Sequence, residues 1–330
     1  IVFITSGTAG GFSGILLGSG TPTEYIVRNN NIGGIRCSTA ATGTMTLRGI
    51  WVQGTPVGAI YPIVSSNIIG GSIANSMYNT TNLPTHGIHF SSTSTSIHPT
   101  VDSNTVRNLN SASTGAAVLT YGIYFQTGGG HTVRNNQITS LSSTSTNSTI
   151  QLIGIMLSNT NSSGNTISRN TIHTLKQLNT ANTTAFHSIG IYYNAGTTGT
   201  NTVSRNLLHS LSLSCTGYGL TTQIRGIDII AGNVTVFNNM IRLGLDESGN
   251  SVAGAYFIQG INKASTGTVG IYHNSVYIGG TVTASATVTS AAFRRAATGT
   301  DDIRNNIFVN ARSKGPGTDK HYALTLNATT

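Results

Sequence analysis

One pattern recurs nine times and leaves few folds open: an aliphatic residue, two mostly polar residues, Asn, any residue, then an apolar one. It reads VRNNNI, VSSNII, VDSNTV, VRNNQI, ISRNTI, VSRNLL, VFNNMI, IYHNSV and IRNNIF. The fixed position falls at Asn30, Asn67, Asn104, Asn136, Asn170, Asn206, Asn239, Asn274 and Asn306, with separations of 37, 37, 32, 34, 36, 33, 35 and 32 residues. Between these copies runs a second, Gly-led apolar motif: RGIW at 48–51, HGIHF at 86–90, YGIYF at 121–125, IGIML at 153–157, IGIYY at 189–193 and RGIDI at 225–229. AGAYF at 253–257, AAF at 291–293 and YAL at 322–324 are looser copies, and SGILL at 13–17 precedes the first Asn.

Short apolar strands alternating at a fixed period, with no helical periodicity, predict a solenoid. The fold class is all-β, a single-stranded parallel β-helix of about nine coils of 32–37 residues with two strands per coil. Neighbouring coils then lie about 4.8 Å apart and like residues stack on like. Val133, Asn136 and Ile138 are expected inward and Arg134 outward, with a corner between Val133 and Asn136. Asn suits a corner because it tolerates left-handed backbone angles. Stacked inward, its amide can donate to one neighbouring coil and accept from the other, as in cross-β amide ladders. A β-propeller has a similar period, but its blades need four antiparallel strands and tight hairpins. The reading is one domain over 1–330: a partial first coil or strand at 1–24, regular coils at 25–310 and a last coil at 311–330.

Composition fits this fold. Charged residues are 8%, which could mean disorder or membrane, but 38% are hydrophobic and recur in β-branched runs, which excludes disorder. No stretch approaches the roughly 20 apolar residues of a membrane span. Cys37 and Cys215 lie in different repeats and predict no disulfide. The chain starts mid-pattern at Ile1, without Met or a visible signal peptide, and reads as processed or partial.

The NTISRNTI and GIYY pattern resembles right-handed parallel β-helix repeat proteins of the pectate-lyase-like superfamily, over nearly the whole chain. IRNNIFVNARSKGPGTDKHYAL resembles the final repeats of large secreted surface proteins of Bacteroidota and related phyla. The resemblance implies a right-handed coil and a secreted, extracellular or cell-surface location. It says little of activity, since the superfamily holds lyases, hydrolases, tailspikes, adhesins and inert scaffolds.

Glycoside cleavage needs two carboxylates about 5–9.5 Å apart. The acids are Glu24, Asp102, Asp228, Asp246, Glu247, Asp301, Asp302 and Asp319. None is expected to stack on another: Asp102 meets Ser65 and Arg134, and Asp228 meets Tyr192 and Tyr256. The doublets 246–247 and 301–302 read as solvated loop charges. His86 and His89 should face opposite ways by strand alternation, and His131, His173, His209 and His273 fall in loop or outward positions, so no metal site and no cofactor is expected. The net charge of +9 includes a candidate outward basic stripe, Arg28, Arg134, Arg169, Arg205 and Arg304, suited to acidic polysaccharide, with nucleic acid the lesser option. Neither end shows a capping helix, which predicts head-to-tail pairing with further copies through Ile1, Val2, Phe3 and Ile4 and through Tyr322, Leu324 and Leu326. Three readings stay open: a non-enzymatic filament-forming structural protein, an adhesin for acidic polysaccharide, and a polysaccharide lyase or glycoside hydrolase.

Overall fold

The computed structural model describes residues 2–5, 10–18, 25–39, 44–54, 61–91, 98–113, 118–145, 150–159, 164–179, 186–216, 219–285 and 287–326; Ile1 and Glu24 lie outside them. Among these residues every regular element is a strand, and the strands pair in parallel into three sheets. The chain is an all-β parallel solenoid in which nine Asn-bearing rungs span about eight full turns. No helix among the described residues is long and apolar enough to cross a membrane.

Each coil visits the three sheets in turn. One coil supplies Thr132–Arg134 to the first sheet, Gln137–Ser143 to the second and Ile150–Asn159 to the third. The expected two strands per coil therefore become three. The corner inside the Asn motif is sharp enough to send its two halves to different sheets. The left-handed residue at this corner is not the ladder Asn but the one before it: Asn29, Ser66, Ser103, Asn135, Arg169, Arg205, Asn238, His273 and Asn305, all with φ of 55–59°. Turning one residue early leaves the ladder Asn free to aim both its backbone N–H and its amide along the solenoid axis.

The ladder runs unbroken. Asn136 Nδ2 donates to Asn170 Oδ1 at 3.0 Å and to Val101 O of the preceding coil at 2.9 Å, and Asn136 N donates to the same Asn170 Oδ1 at 3.0 Å. The same Nδ2-to-Oδ1 bond joins Asn30 to Asn67 and each later pair up to Asn274 and Asn306. From Asn67 to Asn274 the side chains are as buried as the aliphatic core around them. That core is stacked in columns, for example Val133 on Ile167, Ile138 on Ile172 and Ile155 on Ile191. Arg134 faces outward and exposed.

The Gly of the second motif is a packing requirement. A Cβ on Gly154 would sit 2.5 Å from Ile172 Cγ2 and 2.6 Å from Gly190 O. Third and second sheets meet too closely there for any side chain. This criterion also corrects one assignment. The Gly beneath Val276 and Ala292 is Gly260, so the strand copy is QGINK at 259–263 rather than AGAYF at 253–257. Asp228 accordingly stacks on Asn262, not Tyr256.

A second, shorter ladder runs beside the first. Asn165 Nδ2 donates to Asn201 Oδ1 at 2.9 Å, and His131 Nδ1 lies 2.8 Å from Asn165 Oδ1. Its sequence signal is the residue two before the first-sheet aliphatic, in GHTV, GNTI and TNTV. His131, in the loop position just before the strand that starts at Thr132, is thus fully buried rather than outward. Cys37 and Cys215 are both buried, and burial pushes the Cys37 thiol up to about 11.

Candidate binding surfaces

The five stripe arginines do not form one column. On the first sheet the outward column runs Arg28, Ser65, Asp102, Arg134, Ser168, Ser204, Phe237, Tyr272 and Arg304. Arg28 and Arg304 therefore stand far from Arg134 and from each other. Arg304 is paired with Asp302 at 2.7 Å. Arg169 and Arg205 belong instead to the left-handed corner, where they occupy successive rungs, both exposed. A bulky side chain there works against the backbone, since left-handed angles favour Gly and Asn. Arg134 lies on the rung before Arg169. The fold so gathers Arg134, Arg169 and Arg205 over three consecutive rungs. Arg134 is held by Asp102, with Nε at 3.1 Å from Oδ2, while neither Arg169 nor Arg205 is in an ion pair among the described residues. Partial burial would raise the Asp102 pKa, but hydrogen bonds from Asn135 and Ser103 and the Arg134 charge carry it below the ordinary carboxylate value.

The outward face of the third sheet is the other chemically rich surface. Its close approach at Gly interrupts alternation, so the residues one before and two after each Gly share the outer side. His86 and His89 therefore face the same way, contrary to the alternation rule, with ring centroids 4.5 Å apart. They continue into Tyr121 and Tyr124 on the next rung and, through His89, to Trp51 on the previous one. Arg48 lies 3.9 Å over the Trp51 ring, and its Nε donates to His89 Nδ1 at 3.0 Å. Further along, Tyr121, Ile153 and Ile189 form an apolar cluster flanked by Met156 and Tyr192. It gives way to Arg225, which bonds Asp228 and donates to Gln259 Oε1 at 2.8 Å, while Asn262 Nδ2 donates to Asp228 Oδ1 at 2.7 Å. The rings stack with their planes nearly parallel and His86, His89 and Tyr121 are buried, so this surface is a structural ladder more than an open platform.

Burial, then the neighbouring Arg48 charge, lowers His89 to about 3, and burial lowers His131 to about 4. Both rings are neutral when folded, so below the free-histidine value of about 6.5 the unfolded chain binds the extra protons. Their contribution is complete above about pH 6.5 and is lost as pH falls toward 4 and 3. Urea unfolding at pH 4 should show a lower midpoint than at pH 7. His131→Asn, which copies Asn165 and Asn201, should narrow that gap; an unchanged gap would count against His131 as a source.

Every described acid is committed. Asp102 pairs with Arg134, Asp228 with Arg225, Glu247 with Lys176, and Asp302 with Arg304. Asp301 bridges Lys263 at 3.1 Å and Arg295 at 2.6 Å. Asp246 accepts the N–H groups of Ser248 and Asn250, and Asp319 those of Val288 and Gly315. Asp246 does sit in an exposed turn, but Asp301 is a strand residue with a nearly buried carboxylate, not a solvated loop charge. Among the described residues no three His, Cys, Asp or Glu side chains gather as metal ligands would.

Val2, Phe3 and Ile4 lie in a strand paired with Arg36–Ser38, and Tyr322 and Leu324 pair with Ala291 and Phe293. Tyr322, Leu324 and Leu326 are exposed, as the last strand of any stack must be, which adds nothing to the expectation of end-to-end assembly. Comparison of the chain with family models, with curated proteins and with solved structures returns no match in any of the three, so the solenoid rests on the fold itself and carries no family with it.

Proposed function

We propose that the chain is a non-enzymatic, extracellular or cell-surface solenoid that binds acidic polysaccharide along the corner carrying Arg169 and Arg205 and the adjoining strand residue Arg134. The observation that carries this reading is the pair Arg169 and Arg205: exposed, on successive rungs, in backbone positions where other rungs place Asn, Ser or His, and without an acid of their own among the described residues. Rungs about 4.8 Å apart present a regular line of cations to an extended polyanion. Arg fits carboxylate or sulfate through its planar fork. The commitment of each described acid to a cation or to backbone N–H groups argues against a hydrolase pair. A pectate-lyase-like, right-handed coil of the kind found in Bacteroidota surface proteins would suit this role.

The test is salt elution from immobilised polygalacturonate. Ser66 and Ser103 already stand at the same corner, so Arg169→Ser with Arg205→Ser should keep the fold. Exposed contacts worth on the order of 0.5–1 kcal/mol each predict roughly five- to thirtyfold weaker binding for the double variant. Arg28→Ser, which removes a distant charge, should elute like the parent. Equal elution of all three proteins would defeat the proposal.

A further inference from the structure

The outward side of the second sheet changes character along the solenoid. After Asn31 and a lone exposed Ile68, its middle rungs present Thr105, Gln137 and Thr171, whereas the same column then reads Leu207, Met240, Ser275 and Ile307. The column beside it reads His209, Arg242, Tyr277 and Val309. Met240 is 61% and Ile307 63% exposed, high for side chains of this kind. Ser275 stands between them, one rung from each, and its small side chain leaves a depression. The result is a groove of about 620 Å³, a volume typical of sites for small organic ligands.

The groove has one charged end. No acid lines it, and its cation is Arg242, with His209 on the adjacent rung held below the ordinary histidine value by burial and by the charges of His173 and Arg242. The Arg242 guanidinium makes two long contacts, 3.4 Å to Ser210 Oγ and 3.3 Å to Asp246 O. Its Nε is buried with no hydrogen-bond partner. A buried donor of this kind calls for an acceptor. The acids of the turn that it touches through Asp246 O offer none: the Asp246 carboxylate is occupied by its own turn and Glu247 by Lys176.

We propose that this groove binds a single-chain amphiphile with a carboxylate head, the head on Arg242 and the chain crossing Ser275 between Met240 and Ile307. The occupant is a free molecule rather than a bilayer. The surface is concave, and the two rung steps from the Met240 and Arg242 rung to Ile307, about 10 Å, match one medium-length alkyl chain.

Decanoate and decan-1-ol serve as probes in calorimetric titration. The parent protein should bind decanoate saturably at one site and more tightly than the alcohol. Arg242→Gln should weaken decanoate about tenfold, the effect of one charge-assisted hydrogen bond, and leave decan-1-ol unchanged. Ser275→Leu should abolish binding of both by filling the depression, and it repeats the Leu207 of the same column, so the strand tolerates it. The proposal is overturned by any of three results: no saturable binding of decanoate, equal affinity for acid and alcohol, or undiminished binding by Ser275→Leu. Co-sedimentation with anionic vesicles in the absence of free decanoate binding would also overturn it and assign the surface to membranes.

Discussion

Asn170→Ala should destabilise the solenoid by about 4 kcal/mol, far more than the loss of one ordinary polar side chain. Asn170 Oδ1 accepts both the backbone N–H and the Nδ2 of Asn136, and its own Nδ2 serves Asn206 Oδ1 and Val133 O. Truncation leaves the Asn136 N–H buried with no acceptor, at about 1–3 kcal/mol, and removes a partner from three further buried groups. Two rung interfaces weaken together, and a solenoid's stability is close to a sum over such interfaces. Asn170→Leu should do no better, because filling the volume supplies neither donor nor acceptor. Asn30→Ala, which removes a side chain that is only partly buried and has no ladder bond from a preceding Asn among the described residues, should cost much less. Urea midpoints of the three variants check this. Equal, small shifts at Asn30 and Asn170 would show that the amides are passengers.

The ladder was legible because nine copies fix one register, and a buried amide that recurs nine times must be satisfied nine times. Coil count, inward Val133, Asn136 and Ile138, and outward Arg134 follow from the same repeat. What the repeat hides is anything that depends on how sheets meet. His86 and His89 looked opposed because alternation assumes a continuous strand, and the close approach of second and third sheets at Gly breaks it. The left-handed position was placed one residue late for a similar reason: Asn is a good corner residue in isolation, but here its backbone N–H is needed along the axis. The arginines were legible as a set and not as a surface. Whether a residue falls on the strand, like Arg134, or one step on in the corner, like Arg169, decides which column it joins. The second-sheet groove is invisible in one dimension, since it depends on a small residue in one rung flanked by large ones in the rungs on either side.

Asp301 and Asp302 are sequence neighbours with opposite fates, and exchanging each for alanine separates them. Asp301→Ala should cost about 3–5 kcal/mol, the range for breaking a buried pair by removing one partner. Its side chain is 8% exposed and stands between Lys263, fully buried, and Arg295, 13% exposed. Without it two cations face each other in a low-dielectric site. Lys263 would retain only the carbonyls of Ala297 at 3.2 Å and Thr298 at 2.9 Å, which are dipoles and do not neutralise it. Asp302 faces solvent beside Arg304, and its loss should leave the unfolding midpoint where it was. The decisive arm is the double variant. Lys263→Met in the Asp301→Ala background removes the stranded charge, so it should recover part of the lost stability even though it deletes a second polar group. If the double variant is instead less stable than Asp301→Ala by the full cost of the lysine, the triad is held by packing and hydrogen bonds rather than by charge. The same pair of single variants bears on catalysis: loss of a polysaccharide-cleaving activity in Asp302→Ala, with the fold intact, would restore the enzyme reading that the commitment of the described acids argues against.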